Sequence, residues 1–440
     1  MTFCQNRFDV FVWLAVLEVL ACAMSVEGKT PQEVLPDKSG KLIDKPCDEK
    51  NQAGGKSASS LPRVFYLNGT WLAENKAQIQ KGNKTLLPAF KQLLIEADEA
   101  LKAGPFSVMD KILTPPSGDK HDYMNISPYW WPNPETADGL PYVRRDGYVN
   151  PECRTRAYDD TRFSSMRDSV ETLAIAYYFS DKEKYAKHAA DLLRIWFIDP
   201  KTRMNPNLNF GQGIPGRVEG RGGGIIETTK LIAIVDSIGL LGSSRHWSKK
   251  DQSALRTWME EYLHWLRTSP NGQDEADARN NHGTWYDAQV VCLALFVEKP
   301  SIAKEVLTEV TKLRIDSQIK PDGRQPYELE RTKSLGYSRM NLRGFFVLAR
   351  LGEHISVDLW NYRSADGAGL QRALDFLTRY IDDPSSWPYK QIKGIEMESI
   401  FDLLKWAQAK YDDAIYGQWI EKLPKENIIT KREKLFFPTN

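Results

Sequence analysis

Between residues 72 and 420, apolar side chains recur at three- and four-residue intervals, and strictly alternating runs are scarce. That spacing makes helices with one buried stripe and leaves little from which to build a central sheet. Leu86, Leu87, Phe90, Leu93, Leu94 and Ala97 place a helix over 72–103, ended by Gly104-Pro105. Helices over 164–180 and 182–197 are expected to form a hairpin, and others follow over 225–241, 248–267, 286–297, 302–317, 370–380, 396–410 and 412–420. Ser248 reads as an N-cap, with Asp251 at the capping-box position. Helix pairs whose loops gather at their ends predict an all-α fold, an α/α toroid or incomplete α/α barrel of helical hairpins, with function at one rim. No repeating unit forces a solenoid, and a generic helical array is the alternative architecture.

Residues 1–28 are expected to be a signal peptide. The apolar runs Phe11-Val12-Trp13-Leu14-Ala15-Val16-Leu17 and Val19-Leu20-Ala21-Cys22-Ala23 follow Arg7 and are short for a membrane span. This predicts a secreted or periplasmic protein with no stable membrane span once the segment is removed. Asp9 and Glu18 are atypical of such a core. Val19-Leu20-Ala21-Cys22 also looks like a lipoprotein cleavage box, so a lipid anchor at Cys22 is the lesser alternative. Residues 29–61 are rich in Lys, Asp, Pro, Gly and Ser without periodicity and read as a disordered linker. The folded domain is placed at 62–425, with a tail at 426–440. Cys47, Cys153 and Cys292 are too few and too widely spaced for a disulfide framework or a zinc site. With 59 basic and 58 acidic residues, net charge makes no case for nucleic acid.

Four polar stretches interrupt the helical pattern. The first is a long loop over 111–156 that holds Tyr129-Trp130-Trp131-Pro132 and Asp138-Gly139-Leu140-Pro141-Tyr142-Val143-Arg144-Arg145-Asp146-Gly147-Tyr148. A loop of this length inside a compact domain is usually functional. Tyr129, Trp130 and Trp131 could stack on sugar rings or staple the loop to the core, and Arg144 and Arg145 could meet carboxylates. Gly139 and Gly147 flank the arginine pair and would let it move as a lid. Next, Arg221-Gly222-Gly223-Gly224 lacks the Lys-Ser/Thr pair and the preceding strand of a phosphate loop. It reads instead as a close approach of backbone or ligand near Arg221.

The other two stretches sit at helix entrances. Asn280-Asn281-His282-Gly283-Thr284-Trp285-Tyr286 follows a charged, helix-poor run over 273–279 and precedes the almost wholly apolar 288–297. Asn281 is the expected N-cap of that helix, a role compatible with a second one in a cleft. Glu328-Leu329-Glu330-Arg331-Thr332-Lys333-Ser334-Leu335-Gly336-Tyr337-Ser338-Arg339 opens another helix in the same way.

These motifs together resemble the alginate lyase domain family of polysaccharide lyases, most like lyase family 38 and more distantly family 5. The residues that carry the resemblance are Tyr129-Trp130-Trp131-Pro132, the run Asp138-Gly139-Leu140-Pro141-Tyr142, Asn281-His282-Gly283, and Glu328 to Thr332 with Tyr337. It implies an α/α toroid over roughly 63–420, a polyuronate substrate, and β-elimination with no cofactor and no obligatory metal. It also implies catalytic roles for Asn281, His282, Arg331 and Tyr337, although the spacing from Arg331 to Tyr337 differs slightly from the family 5 pattern. In such a reaction Asn281 and Arg331 would neutralise the uronate carboxylate, Tyr337 would serve as acid or base, and His282 as an alternative base. Tyr129, Trp130, Trp131, Arg144, Arg145, Arg221, Trp285 and Arg339 are the expected substrate contacts, and the expected partner is an acidic polysaccharide. Alginate and glucuronan carry the same carboxylate and C5 proton. A glycoside hydrolase would instead need two carboxylates across the cleft, for which Glu219, Glu227, Glu328 and Glu330 are available. A non-catalytic polysaccharide-binding protein is the third reading.

Overall fold

The computed structural model describes residues 61–411 and 413–439, so the expected signal peptide and nearly all of the linker lie outside the described residues. Among the described residues no helix is long and apolar enough to cross a membrane.

The fold is an α/α toroid. Its inner wall is a succession of helices, each packed on the next: α3 (Asp160–Ser180), α5 (Leu231–Leu241), α8 (Asn281–Phe296), α12 (Ser334–Gly352) and α14 (Phe401–Lys410). Outer helices back them. Helices α2 (Leu87–Ala100) and α4 (Glu183–Leu193) lie on α3, and α6 (Lys249–Thr268), α9 (Pro300–Glu305) and α10 (Thr311–Gln318) lie on α8. Helix α13 (Leu370–Thr378) packs on α12, and α15 (Ile415–Lys422) on α14. Helix α8 is buried on every side, which explains why 288–297 lacks a polar face. Ser248 caps α6, and its reciprocal bond with Asp251 completes the capping box.

Local chemistry moves several boundaries. The helix expected over 72–103 is two, α1 (Gly69–Gln80) and α2, because Gly82 takes the left-handed φ of +81° and turns the chain. The run over 273–279 is largely helical. Ser269 caps α7 (Pro270–Ala276), and Pro270 starts it. The helix expected over 225–241 begins only at Leu231. Before it, Gly222–Thr228 winds more tightly, because Gly224 packs against the backbone of Gly211 and Gly222 against α7. That close approach is the reason for the glycines.

The long loop is ordered by two small sheets. Strand β1 (Met124–Ile126) pairs in parallel with β4 (Phe210–Gly213), and β2 (Trp130–Trp131) pairs antiparallel with β3 (Val143–Arg144). At the other end of the chain, residues 426–439 are folded rather than trailing. After α16 (Lys425–Ile428), the Asn75 amide donates to the carbonyls of Leu435 and Phe437, and Trp71, Trp406 and Phe437 form an aromatic cluster.

Asp236 on α5 secures the start of the domain. Its buried carboxylate accepts the backbone N–H groups of Phe65, Tyr66 and Leu67 at 2.6, 3.3 and 2.6 Å. Burial pushes its pKa up to about 6 against the pull of those three donors. Asp236→Ala leaves the donors unpaired and is expected to cost about 3 kcal/mol or more, read from the urea midpoint.

Candidate active site

Helices α7, α8 and α12 meet the loop sheets around an open cleft of about 690 Å³. Each side chain in it is held by a specific local device. Asn280, in an extended conformation, is the N-cap of α8, and its side-chain oxygen accepts the His282 N–H at 3.2 Å. This corrects the expectation for Asn281, which is the first helical residue. The Asn281 N–H donates to Glu328 Oε1 at 2.6 Å, and its side-chain amide donates to Glu328 Oε2 at 2.8 Å. A buried carboxylate from α11 (Pro326–Leu329) thus satisfies a free donor at the positive end of α8 and aims the amide. Burial raises the pKa of Glu328, and the two Asn281 bonds work against that rise.

His282 is set from α7. Its Nδ1 lies 2.6 Å from Oε1 of the buried Glu275. An ionised carboxylate can only accept, so Nδ1 carries a proton, and in the neutral ring Nε2 is the nitrogen left with the lone pair. Arg314 fixes the spacing between the two helices. It bonds Asp287 of α8 at 2.7 Å and the carbonyls of Ala276 and Ala278 at 2.5 and 2.8 Å. Burial pushes the Asp287 pKa up to about 6, with Arg314 opposing. The guanidinium crosses directly over Gly283, where any Cβ would collide with it and with the Ala278 carbonyl. Gly283→Ala is therefore expected to displace His282 and lower turnover at least about tenfold, with a stability loss of about 1–3 kcal/mol. Initial rates and the denaturant midpoint measure both.

Tyr337 lies on the opposing helix α12. Its hydroxyl accepts from Arg331 at 2.8 Å and donates to the Tyr129 hydroxyl at 2.9 Å, and the guanidinium sits 3.8 Å from its ring centroid. Burial, reinforced by Tyr129, holds the Tyr337 phenol well above its ordinary pKa, and Arg331 offsets only part of this. Arg331 is itself anchored by Asp146 at 2.7 Å, and Asp146 also accepts from the Thr332 hydroxyl and N–H. Burial would raise the Asp146 pKa, but these bonds win and hold it far below the usual carboxylate range. The same contacts fasten the turn carrying Arg144 and Arg145 to the α11–α12 link.

Of the residues expected from sequence, Asn281, His282, Arg331, Tyr337, Tyr129, Trp130, Arg144 and Arg221 line this one cleft. Trp131, Arg145, Trp285 and Arg339 do not. Successive strand residues point oppositely, so Trp131 turns from Trp130, donates to the Tyr148 carbonyl, and stacks under Arg145. The Trp285 indole is buried against α12 and donates to the Met340 carbonyl at 3.1 Å. Arg339, two residues beyond Tyr337, leaves the helix on another side, toward Ser399.

Sequence reading missed Glu275 and Gln212 altogether. Gln212 has a left-handed backbone (φ 49°), accepts from Arg221 at 2.7 Å and donates to Glu227 at 2.7 Å. Burial and the charge of Asp160 push the Glu227 pKa up to about 7. A non-glycine residue in that conformation was a signal only the structure could give. Among the described residues no group of three or more His, Cys, Asp or Glu side chains could hold a metal ion.

The profile of the family described as alginate lyase matches residues 107–387. Among solved structures, an alginate lyase from Bacteroides ovatus is 38% identical, covers 86% of this chain and 100% of its own, and superposes with a TM-score of 0.83. Alginate lyase A1-III from Sphingomonas species A1 shares the fold at 14% identity and a TM-score of 0.55, covering 87% of this chain and 98% of its own. A histidine-to-alanine variant of A1-III, complexed with a tetrasaccharide, aligns at 15% identity and a TM-score of 0.52, covering 88% of this chain and 99% of its own. No functionally curated protein matches the chain.

Proposed function

Because the chain belongs to the alginate lyase family of polysaccharide lyases, we propose that its cleft cleaves alginate by β-elimination, with His282 as base and Tyr337 as acid. The observation that carries this reading is the Glu275–His282 contact, which holds the ring through Nδ1 and turns Nε2 into a base in the neutral tautomer, in the same cleft that Tyr337 lines from the neighbouring helix.

In a uronate the C5 proton is acidic because its loss spreads charge onto the adjacent carboxylate. His282 Nε2 takes that proton. The carboxylate becomes an enolate-like dianion, toward which the Asn281 amide and the Arg221 guanidinium are the available donors. One donor of this kind is typically worth about 3–4 kcal/mol in the transition state. The C5 electrons then form the C4=C5 double bond as the C4–O4 bond breaks, and Tyr337 gives its proton to O4. The phenolate left behind is stabilised by the hydrogen bond from Arg331. Arg331, which bonds both Asp146 and the Tyr337 hydroxyl, is assigned to the acid. Tyr129 and Trp130 offer surface for the flanking sugar rings, and the apolar run near the amino terminus fits export to where such polysaccharides occur.

The test is a substrate panel of mannuronate-rich alginate, guluronate-rich alginate, glucuronan and a neutral glucan. Release of unsaturated ends from at least one alginate, and none from the glucan, is expected. Failure to cut either alginate would overturn the substrate assignment, and glucuronan cleavage in its place would move it to that polymer.

A further inference from the structure

A second cavity, of about 350 Å³, shares no lining residue with the cleft. It lies between the start of α2, helices α14 to α16, and the chain beyond them. Leu86, Phe401, Ile420 and Ile428 give it apolar walls, and Lys405, Lys425 and Lys434 bring three ammonium groups to it. The one carboxylate among its lining residues, Glu421, is exposed; it pairs with Lys425 at 3.4 Å, and its charge offsets only part of what burial takes from Lys434. Lys405 donates to Gln408 Oε1 at 2.8 Å, and neither Lys405 nor Lys434 forms an ion pair among the described residues.

We propose that this cavity binds a small carboxylate carried on an apolar body. The carboxylate sits between Lys405 and Lys434, and the hydrocarbon lies against Leu86, Phe401, Ile420 and Ile428. The argument is charge complementarity. Two part-buried ammonium groups repel one another and have lost water, so a single anion relieves both costs. Burial and then Lys434 push the Lys405 pKa down to about 8, in keeping with those costs. The apolar walls exclude a bare hydrated anion as the best fit, and the volume suits a small organic molecule.

Octanoate is the probe, titrated calorimetrically into the full chain at neutral pH. Saturable binding is expected, at least about tenfold weaker in Lys405→Gln and in Lys434→Gln, because each variant removes one partner of a shielded charge pair. Acetate and inorganic phosphate, which have the charge without the body, and octanol, which has the body without the charge, are each expected to bind at least about tenfold more weakly. Lyase activity should be unchanged in both variants, which certifies their folding. The proposal is overturned if octanoate gives no saturable heat or binds both variants as it does the wild type. It is equally overturned if phosphate or octanol matches octanoate.

Discussion

Tyr337→Phe is expected to lower the elimination rate by about 10²–10⁴-fold, the range a positioned general acid supplies, with little change in KM. The variant keeps the ring under the Arg331 guanidinium and loses only the hydroxyl that joins Arg331 to Tyr129. The fold should persist, because the aromatic ring still fills its place between α12 and the loop sheets. The effect rests on one atom. Burial keeps the phenol protonated until O4 needs the proton, and Arg331 stands ready to receive the charge left on the oxygen. Initial rates measured by ultraviolet absorbance, with circular dichroism as the control, decide the matter. Wild-type turnover in the variant would remove Tyr337 from the reaction.

His282→Gln should fall by a similar factor, about 10²–10⁴-fold, because no other imidazole is among the cleft's lining residues. Glu275 acts through His282 and is a positioning residue. Glu275→Ala is expected to lower kcat roughly tenfold to a hundredfold, the cost of a ring that is free to turn and to shift its proton. Glu275→Gln retains an oxygen that can accept from Nδ1–H and should recover part of the loss. A merely structural role would not produce that graded recovery at constant thermal stability. Equal kcat in all three proteins would show that the pair does not act in catalysis.

Much of the molecule was legible because local rules and tertiary packing agree. The three-to-four spacing gave the helices of the toroid, and the absence of a polar face over 288–297 marked α8 as its most enclosed member. The motifs at the two helix entrances point to Asn281, His282, Arg331 and Tyr337, and all four line one cleft. What failed was phase. Trp285 and Arg339 sit in the right stretches, but each leaves its helix on a side away from the cleft. Trp131 likewise lost its place to the alternation of a strand. Partners from other elements were invisible for a different reason. Glu275 is only seven residues before His282, yet it reaches the ring because the break between α7 and α8 turns the chain back on itself. Glu328 lies 47 residues beyond Asn281 and meets it only through the packing of α11 on the start of α8.

The central claim is that the cleft breaks a glycosidic bond by removing a proton rather than by adding water. Counting new chain ends and unsaturated ends in the same alginate digest tests it most directly. One ultraviolet-absorbing unsaturated end per bond broken is the predicted result. Bond cleavage without that absorbance would mean hydrolysis and would contradict the account.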